Sequence, residues 1–251
     1  MNRNFQCAAI LGIALGLFTG CKKNETGHPG NSCRITGYSV HGTLGSGSLT
    51  IEYNSAGEIS KYFNSSGTTT YLSYSHDTIR IRIFLGDSSA SGSMQGKVMA
   101  TTDQQGNVLN ALSTPYDSLK NPIFNHQSEF ICTYEGNHQL TQIIDNDPNS
   151  GQIQQNFIWQ NGNITGIVQD GDTATLDYYS NKLSAQGDFF WVSNLNPLTY
   201  ENVHVHNLLK SITDAGSTEY ITYTFDAQGK IKAFSLSGVV NSDENLTWQC
   251  P

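Results

Sequence analysis

Tyr220-Ile-Thr-Tyr-Thr-Phe225, Asp226-Ala-Gln-Gly229, Lys230-Ile231-Lys-Ala-Phe234 is the stretch that decides the fold. Ile221, Tyr223 and Phe225 alternate with Thr222 and Thr224, and in an extended strand side chains two apart share one face, so one face covers a core and the other meets water. The four residues between the runs begin with an Asx and end with a Gly, the types that accept positive φ in tight turns. Two extended runs joined so closely are antiparallel neighbours, a β-hairpin.

Working outward, the same unit recurs. It reads Leu49-Thr-Ile-Glu-Tyr53, Asn54-Ser-Ala-Gly57, Glu58-Ile59-Ser-Lys-Tyr62, then Glu129 to Tyr134 turning through Glu135-Gly-Asn-His138 into Gln139 to Ile143. Asn156 to Trp159 turns at Gln160-Asn-Gly162 into Asn163 to Ile167, with a looser copy at Leu176 to Leu183 and a degenerate one from Val98 to Val108. Between copies, Ile79, Ile81 and Ile83 are opposed to Arg80 and Arg82. Helical periodicity never exceeds a turn or two; Asn202 to Leu209 is the best helical candidate, and its Val-His-Val alternation argues equally for strand.

These units predict one all-β domain over 33–251, an antiparallel meander of about 10 to 14 strands. The expected form is a large curled sheet or an open, barrel-like sheet. Barrel closure and stacking of two sheets would both cover the edge strands. A transmembrane barrel is disfavoured, because it needs a lipid-facing apolar band that these polar-faced strands lack.

Phe225-Asp-Ala-Gln-Gly-Lys-Ile231 and Tyr53-Asn-Ser-Ala-Gly-Glu-Ile59 resemble the core of tyrosine-aspartate repeat hairpins. The longer run Leu195-Asn-Pro-Leu-Thr-Tyr200, Asn207-Leu-Leu-Lys-Ser-Ile-Thr213 and the Tyr223 hairpin together resemble the C-terminal half of Bacteroidetes lipoproteins that carry an all-β, porin-like domain of unknown function. The resemblance implies a fold and an envelope setting, and it brings no catalytic residues with it.

The N-terminus reads as an export signal over residues 1–20: Arg3, an apolar run from Ala8 to Phe18, then Thr19-Gly20-Cys21, which is the order charged, apolar, small. About 11 apolar residues are too few for a helix across a ~30 Å hydrocarbon core, which needs about 20. Leu17-Phe-Thr-Gly-Cys21 resembles a lipobox, with Phe18 where the pattern has an aliphatic residue. On that resemblance Cys21 is lipidated and tethers the chain to the outer membrane; the other reading is an ordinary signal whose cleavage leaves Cys21 as a thiol. Residues 21–32, rich in Gly, Pro and polar groups, form a flexible tether.

The formal charge is −8, with 13 basic and 21 acidic residues; such a chain has no electrostatic footprint for nucleic acid. Of the cysteines left, Cys33 and Cys250 bracket the ordered region, so a bridge between them would strap the first strand to the last. The alternative is that these cysteines are buried thiols packing as small apolar residues.

Chemistry-bearing motifs are few. His204 and His206 would share a strand face, about 6.5 to 7 Å apart, as two metal ligands lacking a third at diagnostic spacing; exposed strand histidines are the plainer account. Phe189-Phe190-Trp191 is an aromatic run suited either to stacking a sugar or peptide or to filling a core. Asp77-Thr-Ile79, Asp117-Ser-Leu119 and Asp172-Thr-Ala174 resemble a short Bacteroidetes O-glycosylation acceptor. No phosphate loop, dinucleotide fingerprint or Gly-x-Ser-x-Gly occurs. The expectation is a non-catalytic envelope lipoprotein without cofactor, a ligand-binding or scaffold module for glycan, peptide or an envelope protein. The competing classes are an extracytoplasmic hydrolase with dispersed catalytic residues and a structural subunit of an envelope complex.

Overall fold

The computed structural model describes residues 33–43, 45–86, 93–190 and 205–250. Its strands are β1 (Arg34–Gly42), β2 (Gly45–Tyr53), β3 (Ile59–Asn64), β4 (Thr68–Ser75), β5 (Thr78–Leu85), β6 (Ser93–Thr102), β7 (Val108–Pro115) and β8 (Ser128–Glu135). They continue as β9 (Gln139–Asp147), β10 (Gly151–Gln160), β11 (Asn163–Gln169), β12 (Asp172–Leu183), β13 (Asn207–Asp214), β14 (Ser217–Phe225), β15 (Ile231–Ser237) and β16 (Ser242–Gln249). Each pairs antiparallel with the next, and β16 pairs with β1 through Tyr38↔Leu246 and Val40↔Glu244, so these sixteen strands close into a barrel. The sequence pattern led to fewer strands and an open or curled sheet. The difference is physical: closure leaves no strand edge exposed, and β1, β4 and β16 carry Ser, Thr, Gly or Glu where an apolar alternation would have marked them. The candidate helix instead runs through non-helical Val205 and His206 into β13 at Asn207, with 202–204 outside the described residues.

The repeated hairpins share one construction. In the turns after β2, β6 and β14, the first residue is Asn54, Asp103 or Asp226, and its Oδ1 accepts two backbone N–H groups further on, at 2.8–3.0 Å. The fourth residue, Gly57, Gly106 or Gly229, takes φ of +89°, +88° or +80°, which explains the Asx-x-x-Gly spacing. Past the turn, a buried Ile59, Val108, Leu140, Ile164 or Ile231 is followed by one extra residue, a β-bulge. Three of those extra residues are Ser60, Thr141 and Thr165, whose hydroxyls donate back to the partner strand's carbonyls of Glu52, Thr133 and Ile158.

The bulged carbonyls are locked from the neighbouring hairpin. The Tyr53 hydroxyl donates to the Ile35 carbonyl (2.8 Å), Tyr74 to Ile59 (2.9 Å), Tyr178 to Ile164 (2.8 Å), and the indoles of Trp159 and Trp248 to Leu140 (2.8 Å) and Ile231 (2.9 Å). Each large aromatic thus fills the interior with its ring and satisfies a backbone acceptor with its polar tip. All these hairpins turn at the same rim, where the chain also enters at Cys33 and leaves at Cys250.

Polarity runs from the inside out. Ile51, Tyr62, Leu72, Phe157, Leu176, Ile221 and Phe234, contributed from strands around the ring, belong to one buried cluster, and a second cluster of Ile79, Ile81, Val98, Ala100, Val108 and Ala111 lines β5 to β7. Outward positions from β12 through β16 to β2, such as Thr175, Asp177, Thr222, Asn245, Thr247 and Ser48, face water. A membrane-spanning barrel needs the opposite, an apolar band around its whole circumference.

Candidate functional site

The rim that gathers the repeat turns carries a segment that enters the interior. After β12 the chain turns inward at Ser184 to Phe190. At Gly187 (φ +87°) an added Cβ would lie 2.6 Å from Leu246 Cδ1 and 3.0 Å from Ile35 Cδ1, so the backbone runs against the seam of β1 and β16. Phe189 and Phe190 are 5% and 7% exposed. Phe190 stacks on Tyr178 at 6.4 Å, Phe189 meets Phe234 edge-on at 6.2 Å, and the Phe189 N–H donates to the Tyr223 hydroxyl at 3.3 Å. Asp188, also buried, accepts the Ser184 hydroxyl at 2.6 Å. Burial, with the Asp188 charge second, pushes the Tyr178 and Tyr223 hydroxyls well above the ordinary range, so both stay protonated donors.

Of the residues that the sequence singled out, Phe189 and Phe190 therefore pack in the interior, while Trp191 and His204 lie outside the described residues. His206 is exposed, its N–H donating to the Gly162 carbonyl at 2.9 Å. Among the described residues no group of three His, Cys, Asp or Glu is placed to hold a metal. Cys33 and Cys250 form a disulfide with an S–S distance of 2.00 Å, at the end of the β1–β16 seam, and Cys132 is buried on β8. Cys21 and the tether lie outside the described residues.

The opposite half of the interior is polar. Glu244 on β16 has no exposed surface; it accepts hydrogen bonds from the Tyr38 hydroxyl of β1 and, at 2.8 Å, from the Ser242 hydroxyl. Burial raises the Glu244 pKa above the ordinary carboxylate range, and the two donors pull the other way. Tyr38 is held protonated, first by burial and then by the facing Glu244 charge. Glu219 on β14 is 8% exposed and accepts the Val240 N–H at 2.9 Å, pinning the β15–β16 connection. On β9, burial and then the Asp147 charge raise Asp145, whereas Asp147 is lowered by the N–H groups of Ser150 and Asn149.

Among the described residues no hydrogen bond joins any two of Asp145, Glu219 and Glu244. Sequence reasoning missed this polar layer, although its signal was present: Ser242, Glu244, Leu246 and Trp248 are two apart, which puts the glutamate on the apolar face.

No family model matches the chain, and no curated protein matches it. Among solved structures it is similar to a porin-like protein from Bacteroides uniformis ATCC 8492, at 15% identity and a TM-score of 0.61, over 86% of this chain and 98% of that one. A porin-like protein from Bacteroides vulgatus ATCC 8482 is similar at 13% identity and a TM-score of 0.51, over 86% and 98% of the two chains. At such identities the likeness is one of fold, and it is the all-β, porin-like fold that the hairpin resemblance implied.

Proposed function

We propose that this protein is a non-catalytic cell-envelope lipoprotein, tethered to the outer membrane through Cys21, whose barrel serves as a binding or scaffold module for a glycan, a peptide or an envelope protein. The observation that carries the reading is the direction of polarity: a buried apolar cluster with the inward-turned Ser184–Phe190 segment on the inside, and a wall whose outward positions from β12 through β16 to β2 are polar. Such a polarity speaks against a barrel that spans a bilayer with its strands. The barrel's surface and loops are then what a partner meets.

The interior carboxylates support the non-catalytic part. Glu244 is engaged by Tyr38 and Ser242, and one oxygen of Glu219 by Val240, which are the bonds of framework residues. Three measurements test the proposal. Replacing Cys21 with Ser should let a high-salt wash release the protein from membranes, whereas the native protein stays bound through that wash. The purified barrel should stay soluble without detergent and give no conductance in a planar bilayer. A glycan array and peptide panel should return a ligand and no cleavage product. Turnover of any panel member would overturn the non-catalytic reading, and conductance would overturn the filled barrel.

A further inference from the structure

The outer wall is not uniform around the ring. On β4 to β7 the outward residues stand in register as two rows, Tyr71↔Arg82↔Lys97 and Arg80↔Met99↔Leu112. Arg80 and Arg82 are exposed, and Met99, Leu112 and the bulge residue Leu109 are each 42% exposed. These four strands contain no Asp or Glu. Arg80, Arg82 and Lys97 make no ion pair among the described residues, in a chain of net charge −8. Three uncompensated cations interleaved with exposed aliphatic side chains stand out on an otherwise acidic, hydroxyl-rich protein.

We propose that the β4–β7 face docks on an anionic bilayer surface, with Arg80, Arg82 and Lys97 on lipid phosphates and Met99, Leu112 and Leu109 entering the interfacial layer. Basic residues attract anionic headgroups while apolar neighbours gain by leaving water. A hydrated polyanion would reward the cations and not the three apolar side chains. The outer wall of a closed barrel is convex, without a groove to seat a peptide, whereas a deformable bilayer follows it. The twelve residues from 21 to 32 can span about 40 Å, and β5 is four strand spacings from β1, about 19 Å, so a membrane-held tether lets this face lie down. The contact itself does not need the lipid, so it stands or falls apart from the proposed anchor.

The test uses the chain from residue 21 onward with Cys21→Ser, which carries the whole described fold and no lipid. It should sediment with vesicles of phosphatidylcholine and phosphatidylglycerol, not with phosphatidylcholine alone, and should release as salt rises. Each cation contributes about fivefold, so Arg80→Gln, Arg82→Gln and Lys97→Gln together should weaken binding about a hundredfold. Met99→Ser with Leu112→Ser should weaken it while keeping the salt dependence, and Lys210→Gln with Lys232→Gln on the far wall should leave it unchanged. Sedimentation that ignores salt, that is lost equally in the far-wall pair, or that never occurs while a sulfated polysaccharide column retains the protein would overturn the proposal. If the native chain proves to carry no lipid but the vesicle result holds, the anchor fails and this face remains.

Discussion

The locks between bulged carbonyls and neighbouring aromatics make a quantitative claim. Take Tyr178→Phe: the ring, its stacking on Phe190 at 6.4 Å and its interior volume remain, and only the hydroxyl that reaches the Ile164 carbonyl at 2.8 Å is deleted. The net contribution of such a hydrogen bond is ~1 kcal/mol, and a buried acceptor left unmade adds to the loss. Ile164 is 0% exposed, so water does not replace the donor cheaply, and a cost of about 1.5 kcal/mol is expected. For a domain of this size that corresponds to a fall in Tm of about 3–6 °C. Tyr53→Phe removes the equivalent bond to the Ile35 carbonyl, six strands away around the closed ring. The two losses should therefore add to within about 0.5 kcal/mol. The assay is urea unfolding of the wild type, both single variants and the double, with Tyr220→Phe as control, since Tyr220 is 52% exposed on the outer wall. If the two interior substitutions cost no more than the control, the locks contribute nothing and the account of the repeat is wrong.

Other consequences are open to the same measurement. Cys33→Ser with Cys250→Ser should cost about 2–5 kcal/mol, because the bridge closes a sequence separation of 217 residues; a reducing agent should lower the wild-type midpoint and leave the variant's where it is. Gly187→Ala should cost about 1–3 kcal/mol, through its positive φ and the collision with Leu246 and Ile35; an unchanged midpoint would mean that the Ser184–Phe190 segment is not seated in the barrel. Glu244 is raised by burial, so its stabilising effect is complete below the unfolded carboxyl value and is lost as pH rises through the higher folded value. Glu244→Gln, which cannot ionise, should gain stability relative to wild type between acid and neutral pH, seen as a widening gap in urea midpoints.

Much of the architecture was legible because it is local. The Tyr220–Phe234 hairpin, its copies and the Asx-x-x-Gly turns follow from period-two alternation and from the few residues that accept positive φ, and both lie within a dozen positions of one another. What escaped was non-local or carried by polar residues. Alternation along β16 could not announce that its partner is β1, and the strand's inward Ser242 and Glu244 resemble an outward face unless they are read in register with Leu246. For Phe189 and Phe190, the sequence offered stacking and core alike, and the choice depended on Gly187, whose contacts with β1 and β16 no local pattern encodes. The outward cations of β5 and β6 were visible as Arg80 and Arg82 alternating with isoleucines, yet their isolation from acidic residues emerged only when four strands were laid side by side.

The β1–β16 seam also governs the order of assembly. As the chain is made, the first strand emerges some two hundred residues before the strand that completes it, and until then its outer backbone N–H and C=O groups have no mate. Pairings so distant in the chain form late and slowly, and an unmatched edge in a concentrated compartment invites association with other chains. The glycine, serine and histidine of β1, with its irregular register near Ile35, make it a poor template while it waits. Productive folding is thus a race between the arrival of the last eight-residue strand and capture of the first, and slowing synthesis of the C-terminal strand should raise the fraction lost to aggregates before any intrinsic stability changes.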